Sequence, residues 1–136
     1  MKEITVSFLL NGKKSSVASL PNRTLLDVLR EDLGLTGAKD ACGGEGECGA
    51  CTVVLDGNPV NSCMIFIGQV EGTQITTVEG LMEKGDYHPL QKAFVEAGAV
   101  PSFRQMYHHS QEGRTDYDIL HCHHCDVHRQ LVLCVP

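Results

Sequence analysis

The chain has 136 residues, a formal net charge of −6 and a hydrophobic content of 42%. This length allows one domain or two small ones, and the composition is sufficient for a packed core. The sequence has no stripe of lysine and arginine that could neutralise phosphates, so a nucleic-acid partner is not expected. No stretch reaches the roughly 20 apolar residues of a membrane span, and the start, MKEITVSFLL, lacks the apolar region of a signal peptide. We therefore expect a cytoplasmic protein with no membrane partner, whose seven cysteines serve as metal ligands more than as disulfides.

The first 35 residues predict a hairpin followed by a helix. Residues 3–10 and 13–19 have strand composition, and Asn11-Gly12 between them is typical of a two-residue hairpin turn. Thr24 followed by Asp27 predicts a capped helix start. The apolar side of that helix is expected to contain Leu25, Val28, Leu29 and Leu33, and Gly34 is expected to end it.

The segments after residue 51 complete the fold prediction. TVVLD, a turn at Asp56-Gly57-Asn58 and QITTVEG predict a second hairpin and a last strand. The whole order predicts an α+β fold of the β-grasp type, with one helix packed across a small sheet, over residues 1–79. Residues 80–136 are expected to form a second, helical domain, with Asp86 as a possible helix cap and Gly98 as a helix end.

Four cysteines surround the glycine-rich stretch CGGEGECGAC and define the candidate site: Cys42, Cys48, Cys51 and Cys63. Their spacing, C-x5-C-x2-C-x11-C, is close to the C-x4-C-x2-C…C spacing of plant-type [2Fe–2S] proteins. This pattern predicts that all four bind a [2Fe–2S] cluster. Zinc is the alternative metal, because Zn²⁺ also takes four cysteines, although structural zinc sites more often show two separate C-x2-C pairs. Four unligated thiols are the remaining interpretation.

Other residues of the loop are expected to tune such a cluster. Its glycines allow unusual backbone angles and let amides approach the sulfurs, which raises the reduction potential. The acidic side chains of Asp40, Glu45 and Glu47 are expected to lower the potential by charge repulsion, with screening by solvent. Residues 64–67, Met-Ile-Phe-Ile, are expected to pack in the core under the cluster, and His88 is expected to be an ordinary residue near a helix start.

At this point the chain resembles a known family. Three segments, GLTGAKDACGGEGECGACTVVLDGNPVNSCM, ITTVEGL and HPLQKAFVEAGAV, resemble in this order the iron–sulfur small subunit of the molybdenum hydroxylases. That family includes the carbon monoxide, xanthine, aldehyde and nicotinate dehydrogenases. The resemblance extends from the N-terminus to about Val100.

The resemblance implies a β-grasp domain with one [2Fe–2S] cluster and a helical domain with a second. It also implies an electron-transfer subunit of an oxidoreductase, which relays electrons from a molybdenum centre toward FAD. The expected partners are a large molybdopterin-binding subunit and an FAD-binding subunit, and no catalytic residue is expected in this chain. A free-standing ferredoxin-like carrier and a zinc-binding structural module are the alternative functions.

Two departures from the family pattern affect these expectations. Five residues separate Cys42 from Cys48, where the family usually has four, and the extra one is expected to form a small bulge. After GAV the family has Q-C-G-x-C and later C-R-C, whereas residues 101–136 contain neither. A second cluster is therefore predicted to be absent or at best poorly formed, and we interpret this tail as out of frame or otherwise replaced. Its stretch HCHHCDVH could bind zinc through Cys122, Cys125, a histidine and Cys134, but an accidental cluster is the preferred interpretation.

Overall fold

The computed structural model describes residues 2–82, 86–89, 91 and 92. Five strands form one mixed sheet in the order β2-β1-β5-β3-β4, in which the central pair β1 and β5 is parallel and the other neighbours are antiparallel. This is the β-grasp sheet that the sequence predicts. The strands are β1 Ile4–Leu10, β2 Lys13–Ser19, β3 Thr52–Leu55, β4 Asn58–Asn61 and β5 Gln74–Thr76.

Both predicted hairpins are confirmed, and each has a two-residue turn. Asn11 and Gly12 have φ of 50° and 78°, and Asp56 and Gly57 have φ of 48° and 83°. Two consecutive left-handed residues are what a type I′ turn requires, and the twist of this turn matches that of the strands. The second turn is one residue shorter than predicted, because Asn58 already pairs with Leu55.

The predicted helix begins and ends where the sequence indicates. The Thr24 hydroxyl accepts the Asp27 N–H at 3.1 Å, and the Asp27 carboxylate accepts the Thr24 N–H at 3.3 Å, so the two residues form a capping box. Helix α1, Leu25–Asp27, continues as a wider π-helical stretch, Val28–Asp32, which the sequence pattern did not predict. The chain then leaves the helix through Gly34, whose φ is 68°.

One hydrophobic core lies between the sheet and this helix. Alternate residues of β1 point into it, in keeping with the two-residue period of a strand. The helix contributes Leu26 as well as three of the four predicted apolar residues, whereas Leu33 packs at the edge and is only partly buried. The fully buried large side chains include Leu25, Leu29, Ile67, Ile75, Val6, Val28, Val53 and Val70.

The expectation that residues 64–67 all pack in the core is wrong for two of them. Ile67 is fully buried and Ile65 is half-buried, but Met64 and Phe66 are 59% and 51% exposed. Extended backbone at Ile65 and Phe66 joins two short 3₁₀ turns, Ser62–Met64 and Ile67–Gln69. Successive side chains of extended backbone point to opposite sides, so only alternate residues face the core.

The last predicted strand is shorter than QITTVEG. β5 ends at Thr76, because the Thr77 N–H donates to the Asn11 side-chain oxygen at 2.9 Å rather than to a neighbouring strand. A 3₁₀ turn, Val78–Leu81, follows and contains the expected domain boundary after residue 79. The division of the chain into two domains stays a prediction.

A short helical stretch is described beyond the β-grasp sheet. Pro89, Gln91 and Lys92 are helical, and the His88 N–H donates to the Gln91 side-chain oxygen at 2.9 Å, which places His88 at the helix start as expected. Asp86 forms an ion pair with Lys92 at 3.5 Å.

The expectations for Gly98, for the tail 101–136 and for Cys122, Cys125 and Cys134 lie outside the described residues. Within the part that is described, no helix has the length and apolar character needed to cross a lipid bilayer.

Candidate metal centre

The cysteine-rich loop has no regular secondary structure, and its two ends lie side by side. The Lys39 N–H donates to the Ala50 carbonyl at 3.0 Å, which closes the loop at its base. Four glycines in the loop have left-handed backbone angles, with φ between 70° and 84°: Gly43, Gly44, Gly46 and Gly49. The loop therefore depends on glycine for its path, as the sequence predicts.

The structure arranges the four predicted ligands as two pairs. Cys51 and Cys63 are buried, 2% and 8% exposed, and their Sγ atoms lie 3.3 Å apart. Cys42 and Cys48 are half-buried on the loop, where each thiol shifts the pKa of the other. One pair thus belongs to the hydrophobic core and the other lies nearer the surface.

Backbone amides of the loop point at Cys42 and Cys48, the pair nearer the surface, which we call the outer pair. The N–H groups of Cys48 and Glu47 lower the pKa of the Cys42 thiol to about 6, because hydrogen bonds to the sulfur stabilise the thiolate. The Ala50 N–H donates to the Cys48 Sγ at 3.4 Å. Burial nevertheless raises the pKa of Cys48, with a further contribution from the adjacent Cys42 thiol. These amides are the kind of donor that holds the sulfurs of an iron–sulfur centre.

Cys51 and Cys63, the buried pair, are called the inner pair. In contrast to Cys42, Cys63 in this pair has a raised pKa. Burial raises the pKa of the Cys63 thiol to about 12, and the neighbouring Cys51 thiol contributes to this increase. The Gly46 N–H donates to the Cys63 sulfur and partly opposes this effect. Binding of a metal centre at this pair therefore requires the metal to displace protons that the free protein retains.

Side-chain hydrogen bonds fix the backbone around the inner pair. The Ser62 hydroxyl donates to the Cys51 carbonyl at 2.6 Å, and the Thr52 hydroxyl donates to the Gly49 carbonyl at 2.7 Å. The Asn61 side-chain amide donates to the Gly46 carbonyl at 2.5 Å. The strand pair β3–β4 thus holds the loop at both Gly46 and Gly49.

Gly46 lies beneath the exposed side chain of Met64. A Cβ built on Gly46 would lie 2.9 Å from the Met64 Cγ, which is closer than ordinary van der Waals contact. Sequence reasoning did not find this contact, since it placed Met64 in the core. Met64 covers the loop from outside instead.

The five-residue interval between Cys42 and Cys48 is accommodated at the rim of the loop. Gly43 and Gly44 are consecutive left-handed residues, and a Cβ placed at either position would have no atom within 4 Å apart from its chain neighbours. The Gly44 N–H donates to the Asp40 carboxylate at 3.1 Å. The extra residue is thus absorbed where there is open space, and Cys42 still accepts the N–H of Glu47.

The donor set fits a two-iron centre. In the described part of the chain, no three or more His, Cys, Asp or Glu side chains are grouped so as to hold one metal ion. A [2Fe–2S] centre takes two protein ligands on each iron, so two cysteine pairs are the arrangement it needs. Asp40, Glu45 and Glu47 are exposed at the loop rim, where water screens their charge.

A loop of four cysteines on a β-grasp sheet defines a ferredoxin-like iron–sulfur domain. Residues 8–81 match the family described as 2Fe-2S iron-sulfur cluster binding domain, and the chain belongs to that family. A [2Fe–2S] cluster is accordingly the cofactor of this domain.

Comparison with individual proteins identifies the type of domain more closely. The chain is 50% identical over 100 residues to the nicotinate dehydrogenase small FeS subunit of Eubacterium barkeri, a match that covers 74% of this chain and 63% of that protein. It is 45% identical over 98 residues to one of the nicotinate dehydrogenase subunits of Pseudomonas putida, over 72% of this chain and 62% of that protein. The domain is therefore of the type found in the small iron–sulfur subunits of molybdenum hydroxylases, as the sequence resemblance implied.

A solved structure shows the same relationship in three dimensions. The crystal structure of quinoline 2-oxidoreductase from Pseudomonas putida 86 superimposes with a TM-score of 0.70 at 36% identity, over 79% of this chain and 65% of that chain. The chain spans about three-fifths of the length of the two nicotinate dehydrogenase subunits.

Proposed function

We propose that Cys42, Cys48, Cys51 and Cys63 hold one [2Fe–2S] cluster, and that the chain transfers electrons as the small subunit of a molybdenum-containing hydroxylase. The observation that supports this most is the arrangement of the four cysteines in two pairs, one buried and one near the surface. When bound, such a cluster accepts and releases one electron at a time.

The buried cysteines and the loop amides have different roles in binding the cluster. Cys51 and Cys63 anchor it in the hydrophobic core and keep water from one side. The backbone amides of Glu47, Cys48 and Ala50 donate to the outer sulfurs, which favours the thiolate forms that bind metal. The outer pair lies nearer the surface, so an electron partner approaches the cluster most closely on that side.

The partners that we propose are a large molybdopterin-binding subunit and an FAD-binding subunit. Electrons would pass from the molybdenum centre through this chain toward FAD, and the chain itself would contribute no catalytic acid, base or nucleophile. The relatives named as dehydrogenase subunits support this assignment. The substrate would be determined by another subunit.

A free-standing ferredoxin-like carrier is the second candidate, because the matched family domain is itself a [2Fe–2S] cluster-binding domain. The helical residues after the domain favour the subunit instead. The Gln91 side-chain amide donates to the Val78 carbonyl at 3.3 Å, so a helix start is docked on the end of the β-grasp domain. A carrier that acts alone has no evident use for this addition.

Iron and acid-labile sulfide analysis of anaerobically purified protein tests the cofactor assignment. About two iron atoms and about two sulfides per chain, with the visible spectrum of a [2Fe–2S] centre, are expected. A colourless protein that contains zinc and no sulfide would establish the zinc-binding alternative. About four iron atoms per chain would contradict the prediction that the second cluster is absent.

Affinity purification tests the proposed partners. A tagged chain is expressed with the genes that neighbour its own, and the retained proteins are identified by mass spectrometry. Retention of a large molybdopterin-containing chain is expected. Recovery of the tagged chain as a cluster-loaded monomer under the same conditions would favour the free-standing carrier.

A further inference from the structure

Glu79 reaches the entrance of the cysteine loop from a distant part of the chain. Its Oε1 accepts the Gly37 N–H at 2.7 Å, across 42 residues of sequence. Gly37 precedes the first ligand, Cys42, by five residues. A Cβ on Gly37 would lie 2.6 Å from that same Oε1 and would collide with Val78. Only glycine allows the two segments to approach this closely.

The stability that this hydrogen bond provides is opposed by a cost at the same carboxylate. The other carboxylate oxygen, Oε2, is buried and has no hydrogen-bond partner among the residues that the structure describes. Removing a carboxylate oxygen from water without a partner carries a desolvation penalty that offsets the hydrogen bond made by Oε1. An apolar side chain would avoid this penalty but would leave the Gly37 N–H without an acceptor, so the carboxylate is explained by the hydrogen bond with which it positions residue 37.

Glu79 contacts residues 36–39, the stretch that leads directly into the cysteine loop. On it, the Arg30 guanidinium donates to the carbonyls of Thr36 and Ala38, at 3.2 and 2.7 Å. Glu79 accepts the amide between those two carbonyls. A cation thus holds the carbonyls and an anion holds the N–H, which fixes the direction in which the chain enters the loop.

Glu79 itself stands on a segment that is anchored at both sides. The Asn11 side chain accepts the Thr77 N–H at 2.9 Å and donates to the Thr77 hydroxyl at 3.0 Å. On the other side, the helical residue Gln91 donates to Val78. The segment 77–80 therefore connects the first hairpin turn, the helical residues and the loop entrance.

We propose that Glu79 is a positioning residue for the cluster: its carboxylate fixes residues 36–39 and thereby the first ligand, Cys42. This rests on the proposed function, since it takes Cys42 as a ligand. The neighbouring residue Val78 accepts a hydrogen bond from Gln91, so the segment that carries Glu79 also contacts the helical residues after the β-grasp domain. Displacement of the Val78–Leu81 turn would loosen the loop entrance.

Two conservative substitutions at Glu79 distinguish an effect of side-chain length from an effect of its negative charge. Glu79→Gln keeps the length of the side chain and an oxygen that can accept the Gly37 N–H, but removes the charge. Glu79→Asp keeps the charge but is one methylene too short to reach. A positioning role predicts that the Gln variant resembles wild type and that the Asp variant resembles Glu79→Ala. A role of the charge predicts the reverse order.

Glu71 provides a matched control. Its carboxylate accepts the Ser7 N–H at 2.8 Å, so Glu71→Ala removes the same kind of hydrogen bond at a site on strand β1. Because the unpartnered Oε2 offsets part of the Glu79 hydrogen bond, Glu79→Ala is expected to lower the free energy of unfolding no more than Glu71→Ala does, as measured by urea unfolding of the metal-free protein. Only the Glu79 variants are expected to affect the loop.

Amide hydrogen exchange of the metal-free protein gives the first measurement. Exchange at Gly37 is expected to accelerate roughly tenfold or more in Glu79→Ala and Glu79→Asp, and to stay near the wild-type rate in Glu79→Gln and Glu71→Ala. In the loaded protein, chelator-driven bleaching is expected to accelerate several-fold in the same two variants. Equal rates in Glu79→Ala and Glu71→Ala, in either measurement, would overturn the proposal.

The two proposals fail in distinguishable ways. If wild-type protein forms no cluster on reconstitution, the proposed function fails, whereas exchange at Gly37 still reports on the Glu79 contact. If wild type forms the cluster and the Glu79 variants lose it no faster, only the positioning role fails. Should Glu79→Ala not fold, the comparison of the Gln and Asp variants decides alone.

Discussion

The Sγ atoms of Cys51 and Cys63 lie 3.3 Å apart, and the hairpin between them explains this proximity. The residues that separate them are the four of β3, the two-residue turn, the four of β4 and Ser62. Ser62 then donates its backbone N–H and its hydroxyl to the Cys51 carbonyl, at 3.3 and 2.6 Å. The eleven residues between Cys51 and Cys63 are therefore those of the paired β3–β4 hairpin together with Ser62.

An insertion in β4 should separate the inner pair, whereas an insertion in the turn should not. One glycine inserted between Val60 and Asn61 shifts every later residue by one position, and a shift of one residue turns a strand's side chains to the opposite face. One glycine inserted after Gly57 only lengthens the turn to three residues, which is a common hairpin loop. Visible absorption and sulfide content after reconstitution are expected to be lost in the first variant and kept in the second. Normal absorption in the β4 variant would contradict the register argument.

Local signals in the sequence were sufficient for most of the fold. The turns at Asn11-Gly12 and Asp56-Gly57, and the capped start at Thr24, each depend on residues within four positions of one another. The cysteine spacing likewise indicated the site, because its intervals reflect a glycine loop and a hairpin. Such features can be predicted because their causes lie in short stretches of the chain.

Features that depend on distant contacts could not be predicted in the same way. Nothing near Gly37 indicates that it meets Glu79, and nothing near Met64 indicates that it lies over Gly46. The exposed position of Phe66 follows from the path of the chain between two 3₁₀ turns. These relationships arise only once the sheet and the loop are assembled.

Serine substitutions should distinguish the two cysteine pairs. Cys48→Ser and Cys51→Ser are both expected to abolish the visible spectrum, because each removes one cluster ligand. In the metal-free protein only Cys51→Ser is expected to reduce the free energy of unfolding, by about 1–3 kcal/mol, since it places a hydroxyl in the core. Cys48 is half-buried, so its variant should stay within about 0.5 kcal/mol of wild type in urea unfolding. An unchanged spectrum in both variants would show that these residues are not ligands.

Among the four cysteines that the structure describes, alkylation of the metal-free protein should modify Cys42 first. With a pKa of about 6, its thiol is mostly thiolate at pH 7, and the thiolate is the reactive form. Cys63, with a pKa of about 12, remains a protonated and buried thiol. The rate at Cys42 is expected to fall as the pH is lowered through about 6, whereas Cys63 should stay unreactive over the whole range below about pH 9. Peptide mass spectrometry after brief iodoacetamide treatment measures both rates.

A denatured sample is the control for that experiment. In urea the amides of Glu47 and Cys48 no longer face the sulfur, so all seven cysteines should react at similar rates with the pKa of an ordinary thiol. Preferential modification of Cys42 that persists in urea would show that sequence neighbours, and not the folded loop, lower its pKa.

Alanine at two loop glycines should separate backbone strain from crowding. Gly43 and Gly46 have similar φ, 70° and 75°, so Gly→Ala at either position costs roughly 1–2 kcal/mol for a left-handed residue. Only at Gly46 does the new Cβ also meet Met64, which adds an overpacking penalty of about 1 kcal/mol or more. Gly46→Ala should therefore unfold at lower urea concentration than Gly43→Ala and lose its cluster faster.

Truncation of the covering side chain should remove the additional penalty. Met64 is 59% exposed, so Met64→Ala alone is expected to change stability by less than about 0.5 kcal/mol. Combined with Gly46→Ala, it removes the crowded atoms, and the double variant should unfold at the same urea concentration as Gly43→Ala. Additive effects in the double variant would mean that the two side chains do not meet. Because Gly46 also donates its N–H to the Cys63 sulfur, the crowding is expected to displace that donor, so restored stability should be accompanied by restored cluster retention.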